Sequence, residues 1–400
     1  MFLKNKNVIL GITGGIAAYK SAIIASMLVK QGCNVNVIMT QNATEFITPL
    51  TFETLTGNKV VIDMFKSPEH REVEHISLAK KADLILIAPA TYNIIGKVAS
   101  GIADDMLSTV VTASKTKILF VPAMNTNMYE NPILQENIEK LKRLNYFFME
   151  PISGLLACKD TGKGKMPEPE DIVDYCEYVL TEKDLLNIKI LITAGATIEA
   201  IDPVRFISNH SSGKMGFAIA QAAKNRGAKV TLLASKNNLK VINDINMSYF
   251  TSVESLEKLV KENIEKNDII IMAAAVGDYK VSEISNQKIK KDKNELQLNL
   301  VSTTDILYSI KDSSIFKIGF AAESENIDEY GLNKLKKKNL DMIVVNDISR
   351  KDIGFQSDEN EVIIYAKTEN SVEKIKIEKK SKKDLANDIL NEQKRFFRVK

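Results

Sequence analysis

Cysteine and histidine are scarce in this chain of 400 residues. Cys33, Cys158 and Cys176 show no C-x-x-C spacing. That argues against a disulfide framework or a zinc site and fits a reducing cytoplasm. The only histidines are His70, His75 and His210, and any of them can be an ordinary surface residue. No apolar run approaches the ~18 residues that would span a bilayer. The opening stretch MFLKNKNVILGITGG is basic and then apolar, but the apolar part reads as a first strand rather than a signal peptide. Neither charge sign dominates: 54 basic residues face 51 acidic ones, a net charge of +3. So even a balance does not point to nucleic acid. Low-complexity segments are absent too.

What is present is enough for two packed cores. The apolar fraction is 44% and the charged fraction 26%, and the length suits two domains of roughly 200 residues. In the first half, Val8–Ile12, Val35–Met39, Leu84–Ala88, Ile118–Val121 and Tyr146–Met149 read as strands. They are apolar throughout, as strands covered on both faces should be. Helical patterns separate them; Ile16, Ile23, Ile24, Met27 and Leu28 give one apolar face, and Gly32 ends it. Alternating strands and helices predict an α/β fold with an open, doubly wound parallel sheet.

The second half starts the same alternation again. Ile190–Ile192, Val230–Leu233, Ile269–Ala274, Lys317–Phe320 and Met342–Val345 are its predicted strands. Gly216–Asn225, Val253–Ile264 and Asp328–Lys338 are its predicted helices. Gln287–Lys291 and the alternating Glu295–Leu300 predict an antiparallel excursion, and Glu361–Ala366 an edge strand. The tail from Glu378 to Lys400 reads as a basic amphipathic helix with a solvated face. The linker is expected near Thr181–Asn187, where a helical pattern ends in the polar run Thr181–Asp184, dividing the chain into 1–183 and 184–400.

Each half opens on strand, small-residue loop, helix, the order that builds an anion site at a helix N-terminus. In the second half the loop is crowded with donors: Arg205, Ser208, Asn209, His210, Ser211, Ser212 and Lys214. In the first it is GITGGIAAYK, which is not G-x-G-x-x-G. No acid ends the second strand, where one would hold a dinucleotide's ribose. The loop therefore favours a mononucleotide such as FMN over NAD, with a simple tight turn as the other reading.

Longer strings carry a resemblance. GITGGIAAYK, VEHISLAKKADLILIAPATYN, GKVASGIADDMLST, PAMNTNMY and GLLACKDTGKGKM occur in that order and resemble the flavin-containing cysteine decarboxylases. SNHSSGKMG, AAAVGDY, QKIKK, GFAAES and KKKNLDMIVVND follow and resemble the phosphopantothenate–cysteine ligases. The pair is similar to the two-domain synthetase/decarboxylases of coenzyme A synthesis. The resemblance covers nearly the whole chain. It implies a flavodoxin-like decarboxylase domain and a Rossmann-like ligase domain.

For the first domain the resemblance implies FMN held by Gly14, Gly15, Ile16, Ala17, Thr40, Ser108 and Thr109. It implies a catalytic His75, a carboxylate-binding Asn125 and a proton donor at Cys158. For the second it implies CTP as co-substrate with Mg²⁺. Lys288 matches the catalytic lysine, and Asn209 the asparagine that helps convert an acyl-cytidylate. Ala273, Ala274, Asp278, Thr303, Thr304, Asp305, Ile306, Phe320, Lys334 and Lys338 match nucleotide positions, as does Lys288. The metal ligands are unknown. The implied partners are 4′-phosphopantothenate, cysteine and CTP, with no nucleic acid and no membrane. The implied assembly is a trimer-based homo-oligomer that a ligase dimer contact could extend to a dodecamer.

This chain departs from the pattern at Lys159, where glycine is usual, and at Lys165, where arginine is frequent. Thr303-Thr304-Asp305-Ile306 stands where Asn-Pro-Asp-Ile is common. Two other readings stay open at this point: a two-domain flavin/nicotinamide reductase and a non-catalytic flavoprotein regulatory subunit.

Overall fold

Strands that are apolar at every position need cover on both faces, and the chain provides it twice. The computed structural model describes residues 3–65, 74–155, 161–291, 296–349 and 357–397. Cys158 and Lys159 lie outside the described residues. The chain divides into two compact units, Met1–Thr181 and Glu182–Lys400.

The first unit runs β1 (Asn7–Ile12), α1 (Ala18–Lys30), β2 (Asn34–Met39), α2 (Pro49–Thr56), α3 (Glu74–Lys81), β3 (Leu84–Ala90), α4 (Tyr92–Ala99) and α5 (Met106–Ala113). It continues through β4 (Lys117–Pro122), α6 (Thr126–Tyr129), α7 (Pro132–Arg143), β5 (Phe147–Phe148), β6 (Ile152–Leu155), β7 (Thr161–Lys165) and α8 (Pro169–Leu180). The main sheet is parallel with order β2-β1-β3-β4-β5. Alternate residues serve opposite faces, as the two-residue period requires. Val8, Leu10, Leu84 and Leu86 pack with α1 and α8, while Ile9, Ile85, Ile87 and Phe120 pack with α4, α5 and α7. Local signals set the helix ends. Asn131 accepts from the Ile133 N–H and Pro132 opens α7, while Lys140, Lys142 and Arg143 occupy its last turn.

The second unit runs β8 (Lys189–Ala194), β9 (Ile198–Ala200), β10 (Phe206–Ser208), α9 (Lys214–Asn225), β11 (Lys229–Ser235), β12 (Asn246–Phe250), α10 (Val253–Asn263), β13 (Ile269–Met272), β14 (Tyr279–Val281) and β15 (Leu300–Ser302). Then come α11 (Ile306–Ser309), β16 (Phe316–Glu323), α12 (Ile327–Lys337), β17 (Met342–Asp347), β18 (Glu359–Lys367), β19 (Val372–Ser381) and α13 (Lys382–Phe396). Its main sheet has the order β12-β11-β8-β13-β16-β17-β18-β19. The first six strands are parallel; β18 and β19 are antiparallel. Ile190, Ile192, Ile269 and Ile271 share a core with α9 and α13, and Leu191, Ile270, Met272 and Ile343 one with α10 and α12.

Three sequence expectations change here. The antiparallel excursion exists, but it pairs Tyr279–Val281 with Leu300–Ser302; Gln287–Lys291 is not a strand. Its alternating leucines, Leu296, Leu298 and Leu300, are exposed, so no buried face of this chain fixes their pairing. Glu361–Ala366 is not an edge: β18 pairs on both sides, and the edge is lysine-rich β19. Charge on an edge strand discourages further pairing. The tail helix begins at Lys382 rather than Glu378, because Ser381 caps it by accepting from the Asp384 N–H. It is amphipathic as expected: Leu385, Ala386, Ile389 and Leu390 are buried against the core that includes α9, while Lys383, Asn391, Lys394 and Arg395 are exposed. The polar run Thr181–Asp184 at the unit boundary is hydrogen-bonded. Thr181 is buried with its hydroxyl on the Glu177 carbonyl, and Asp184 is bonded to Arg226 and Lys394; Glu182 is the exposed residue between them.

Candidate active sites in the two units

In doubly wound sheets, ligands collect at the carboxyl ends of strands where the strand order reverses. In the first unit that point lies between β1 and β3. Thr13 ties the two loops together: its hydroxyl donates to the Pro89 carbonyl (2.7 Å) and accepts from the Thr91 N–H (3.1 Å). Gly14 follows, and a Cβ there would stand 2.5 Å from Cβ of Asn42, so only glycine lets the loop lie against the segment after β2. Thr40 begins that segment. Its buried hydroxyl has no hydrogen-bond partner among the described residues. Gly14 and Thr40 thus lie close together at the carboxyl ends of β1 and β2, with Gly15 next in the loop, Ala17 capping α1 and Ile16 exposed beside it.

Ser108 and Thr109 sit at the start of α5. Ser108 is fully buried in a capping box with Asp105, and Thr109 bonds the Ala103 carbonyl at 3.4 Å. Burial would raise the Asp105 carboxyl, but the Ser108 N–H, Lys97 and the Ser108 hydroxyl together hold it below the usual range. These two predicted cofactor residues are therefore already part of a local cap.

His75 stands half-buried in the first turn of α3. Asn125 follows β4 and caps α6, its Oδ1 accepting from the Asn127 N–H at 2.8 Å. The hairpin β6–β7 docks on the same loop. Met124 donates its N–H to the Gly164 carbonyl (3.0 Å), and a Cβ on Gly162 would meet the Thr126 hydroxyl at 2.5 Å. Cys158 falls between the two strands of that hairpin and outside the described residues. Lys20 was not among the expected site residues. It is 7% exposed, and its amine holds both carboxylate oxygens of Glu168 at 3.0 Å and the Met166 carbonyl at 3.3 Å. It fastens the exit of the hairpin to α1. The only sequence signal was a lysine within an otherwise apolar helix face.

The second unit repeats the arrangement between β8 and β13. Thr193 receives the Ala274 N–H at 3.1 Å, and Thr197 receives the Gly277 N–H at 2.9 Å. Gly216, in the first turn of α9, sits where a Cβ would be 2.5 Å from Cβ of Ala194. That close approach sets α9 directly on β8, with Gly213 as its N-cap.

A cavity of about 630 Å³ opens at this edge. Ala273, Ala274 and Asp278 enter its wall after β13, and Phe320 from β16. The turn Thr303, Thr304, Asp305 and Ile306 forms another side. Lys334 and Lys338 approach at the end of α12, and Asn209 from the loop before α9. Thr303 fits its departure from the usual asparagine: its hydroxyl bonds the Gly277 carbonyl and its N–H the Asp278 carbonyl. Lys334 pairs with Glu323 at 2.6 Å, and Lys338 with Asp305 at 3.1 Å.

Lys288 is not part of that wall; it is exposed on the segment after β14. Its neighbour Ile289 is anchored, donating its N–H to Asp202 (3.2 Å) and accepting from Arg205 (3.1 Å). Arg205 itself is paired with the buried Asp202 at 2.7 Å. So Arg205 is a structural donor, and the loop taken as purely polar contains the hairpin β9–β10. Two further lysines of the wall, Lys214 and Lys382, begin α9 and α13. Lys382 was missed because it lies in a tail read as surface helix.

Two family models match the chain, one within each unit. Residues 2–181 match the family model described as Flavoprotein. Residues 185–396 match that of the DNA/pantothenate metabolism flavoprotein C-terminal domain. The Coenzyme A biosynthesis bifunctional protein CoaBC of Haemophilus influenzae is 43% identical over 396 residues, 98% of this chain and 98% of the relative. The protein of the same name from Borreliella burgdorferi is 48% identical over 351 residues, 86% of this chain and 90% of the relative. A solved C-terminal domain of Coenzyme A biosynthesis bifunctional protein CoaBC is 34% identical, covering 53% of this chain and 97% of that one, with a TM-score of 0.45.

Proposed function

This chain belongs to the bifunctional coenzyme A biosynthesis proteins, and from that membership we propose how its two units divide the work. The enzyme joins 4′-phosphopantothenate to cysteine, then decarboxylates 4′-phosphopantothenoylcysteine to 4′-phosphopantetheine. The second unit carries the ligation and the first the decarboxylation. What supports this reading most is convergence. Residues scattered from Asn209 to Lys338 meet in one cavity at the carboxyl edge of a Rossmann-like sheet.

In that cavity CTP is the activating nucleotide. A carboxylate oxygen of 4′-phosphopantothenate bonds to the α-phosphorus as the bond from that phosphorus to the bridging oxygen breaks. Pyrophosphate leaves with the electron pair, and the cysteine amine then displaces CMP from the acyl-cytidylate. Negative charge grows on phosphate oxygens, so fixed cations lower the barrier. We assign one such charge, at the α-phosphate, to Lys288, which the segment after β14 carries outside the cavity wall, and to Asn209, within the wall, the orienting of the acyl-cytidylate. Mg²⁺ would travel with the triphosphate, and Asp278 and Asp305 offer carboxylates in the same wall.

In the first unit the residues fit FMN. Gly14 gives a close cradle, and the buried hydroxyl of Thr40, which has no partner among the described residues, suits a polar atom of the cofactor. FMN bound there supplies a two-electron oxidation of the substrate thiol, which gives the carbanion left by CO₂ an electron sink. His75 faces the substrate carboxylate, and Asn125 binds it through its amide donors. Cys158 Sγ would donate the proton when the two electrons taken up in the thiol oxidation return to the enethiol and reduce it to the thiol.

Among the described residues no helix is long and apolar enough to cross a membrane. The enzyme works in the cytoplasm as a homo-oligomer. Exposed apolar side chains on each unit, such as Ile16, Tyr19 and Ile23 or Tyr279, Leu298 and Leu300, support self-association. The test is one preparation with three readouts: a flavin spectrum, cysteine-dependent release of CMP rather than AMP, and CO₂ from added 4′-phosphopantothenoylcysteine. A colourless protein, or AMP release with ATP preferred, would contradict the cofactor or the nucleotide.

A further inference from the structure

We propose that Asp202 is a positioning residue for ligation: its buried carboxylate holds the segment that carries Lys288 in a fixed relation to Asn209. The proposal deepens the reading of Lys288 as the charge at the α-phosphate and rests on it.

A buried carboxylate keeps its charge only when donors replace the water it has lost. Asp202 is buried and has four donors, and they divide by oxygen. Oδ1 accepts from the N–H groups of Val204 and Arg205, both at 2.7 Å, and so closes the turn between β9 and β10. A turn held by an aspartate in this way needs only one oxygen. The other oxygen reaches out of the turn. Oδ2 accepts from the Arg205 guanidinium at 2.7 Å and from the Ile289 N–H at 3.2 Å, 87 residues along the chain. Nη1 of Arg205 also donates to the Ile289 carbonyl at 3.1 Å. One ion pair therefore holds both the N–H and the carbonyl of the residue that follows Lys288.

The residues before Lys288 are fastened to the same turn. Ser285 donates its N–H to the Ile201 carbonyl at 3.0 Å and its hydroxyl to the Gln287 carbonyl at 2.7 Å. Asn286, Gln287 and Lys288 are exposed between these ties, and none of them lies in a strand. Lys288 thus takes its place from hydrogen bonds to the turn rather than from a sheet. The turn also leads to Asn209. After β10 the Ser208 hydroxyl bonds the Thr197 carbonyl at 2.7 Å, and Asn209 enters the cavity wall with its amide on the Val276 carbonyl at 3.3 Å. The Asp202 carboxylate is the joint between the two elements that carry these residues. Fixing such groups relative to one another supplies much of an enzyme's rate.

The test is cysteine-dependent CMP release by the full-length enzyme in a double-mutant cycle. Asp202→Asn keeps Oδ1 for the turn but replaces the second acceptor with an amide donor facing Ile289 and Arg205. Its kcat should fall about 10- to 100-fold, the scale of a catalytic group misplaced by about an ångström. In a Lys288→Gln background the same change should cost less than about twofold, because a lysine that is gone cannot be misplaced. If the asparagine variant unfolds, Asp202→Ser carries the same comparison: its hydroxyl can serve the turn's own N–H groups but is too short to reach Ile289. Flavin content and decarboxylation should stay at wild-type levels in each variant and mark enzyme that is folded. Wild-type kcat in a folded Asp202 variant would overturn the positioning role. So would the same fold-loss in both backgrounds, which is what a general weakening of the unit gives. Wild-type CMP release by Lys288→Gln alone would instead sink the reading of Lys288 on which the proposal rests.

Discussion

Thr13 and Thr193 occupy the same place in two different sheets. Each follows the first strand of its unit, and each accepts an N–H from the loop across the reversal point, Thr91 in one case and Ala274 in the other. Each is followed by a glycine-dependent contact, Gly14 against Asn42 and Gly216 against Ala194. The scaffolds agree; the surroundings do not. In the first unit the loop after β1 is bordered by glycines and by the Thr40 hydroxyl, which has no partner among the described residues, whereas the second unit's cavity is lined by lysines paired with carboxylates. A neutral cradle suits a cofactor that stays and accepts electrons. A cationic cavity suits a nucleotide whose phosphates are cleaved and released. One architecture thus serves two chemistries through the side chains placed on its loops.

The sharpest way to break this contrast is at Cys158, the proposed proton donor of the first unit. Cys158→Ser replaces a thiol of pKa ~8.5 with a far weaker acid. CO₂ release should continue while an oxidised enethiol accumulates and 4′-phosphopantetheine falls at least ~10²-fold, the low end for losing an acid catalyst. Mass spectrometry of the products reads this directly, and normal product would remove Cys158 from the mechanism.

The two glycines come next. Gly14→Ala and Gly216→Ala each force a Cβ to within 2.5 Å of another Cβ. Overpacking of this kind costs about 1–3 kcal/mol. Gly14→Ala should lose flavin on gel filtration with CMP release retained. Gly216→Ala should do the reverse, and a variant that lost both would deny the units their independence.

A smaller effect concerns acid. Asp184 is held down to about 2, first by its hydrogen bonds to Arg226 and despite partial burial, with Lys394 helping. Its folded value lies below the unfolded one, so its contribution is full above about pH 4 and fades as pH falls toward 2. Urea unfolding of the full chain followed from pH 5 to pH 2 should show this loss. In Asp184→Asn the second unit should be weaker at pH 5 and less sensitive to acid. An unchanged slope in the variant would mean that the Arg226 clamp does not hold the start of this unit.

Much of this was legible beforehand because parallel strands announce themselves. A run such as Leu84–Ala90 is buried at every position, so its apolar continuity is a direct image of its environment. The site loops were legible through their strings, since Asn209, Ala273, Asp278 and Lys338 do meet in one cavity. Tertiary effects were not. Lys382 looked like one lysine among many until α13 packed on α9 and turned it inward. Arg205 looked like a ligand donor because sequence cannot show that Asp202, three residues away, already holds it. The strand β19 hid in a lysine-rich tail because its pairing with β18 is a long-range contact. Thr181–Asp184 read as linker from polarity alone, while its hydrogen bonds tie it to both flanking elements.

The most direct measurement is both half-reactions on full-length Lys288→Gln. A neutral amide cannot offset phosphate charge, so cysteine-dependent CMP release should fall by about 10²- to 10³-fold. Decarboxylation of supplied 4′-phosphopantothenoylcysteine should proceed at the wild-type rate with the flavin spectrum unchanged. Loss of decarboxylation in that variant, with fold and flavin retained, would mean that the two chemistries share one site and that the division between the units is wrong.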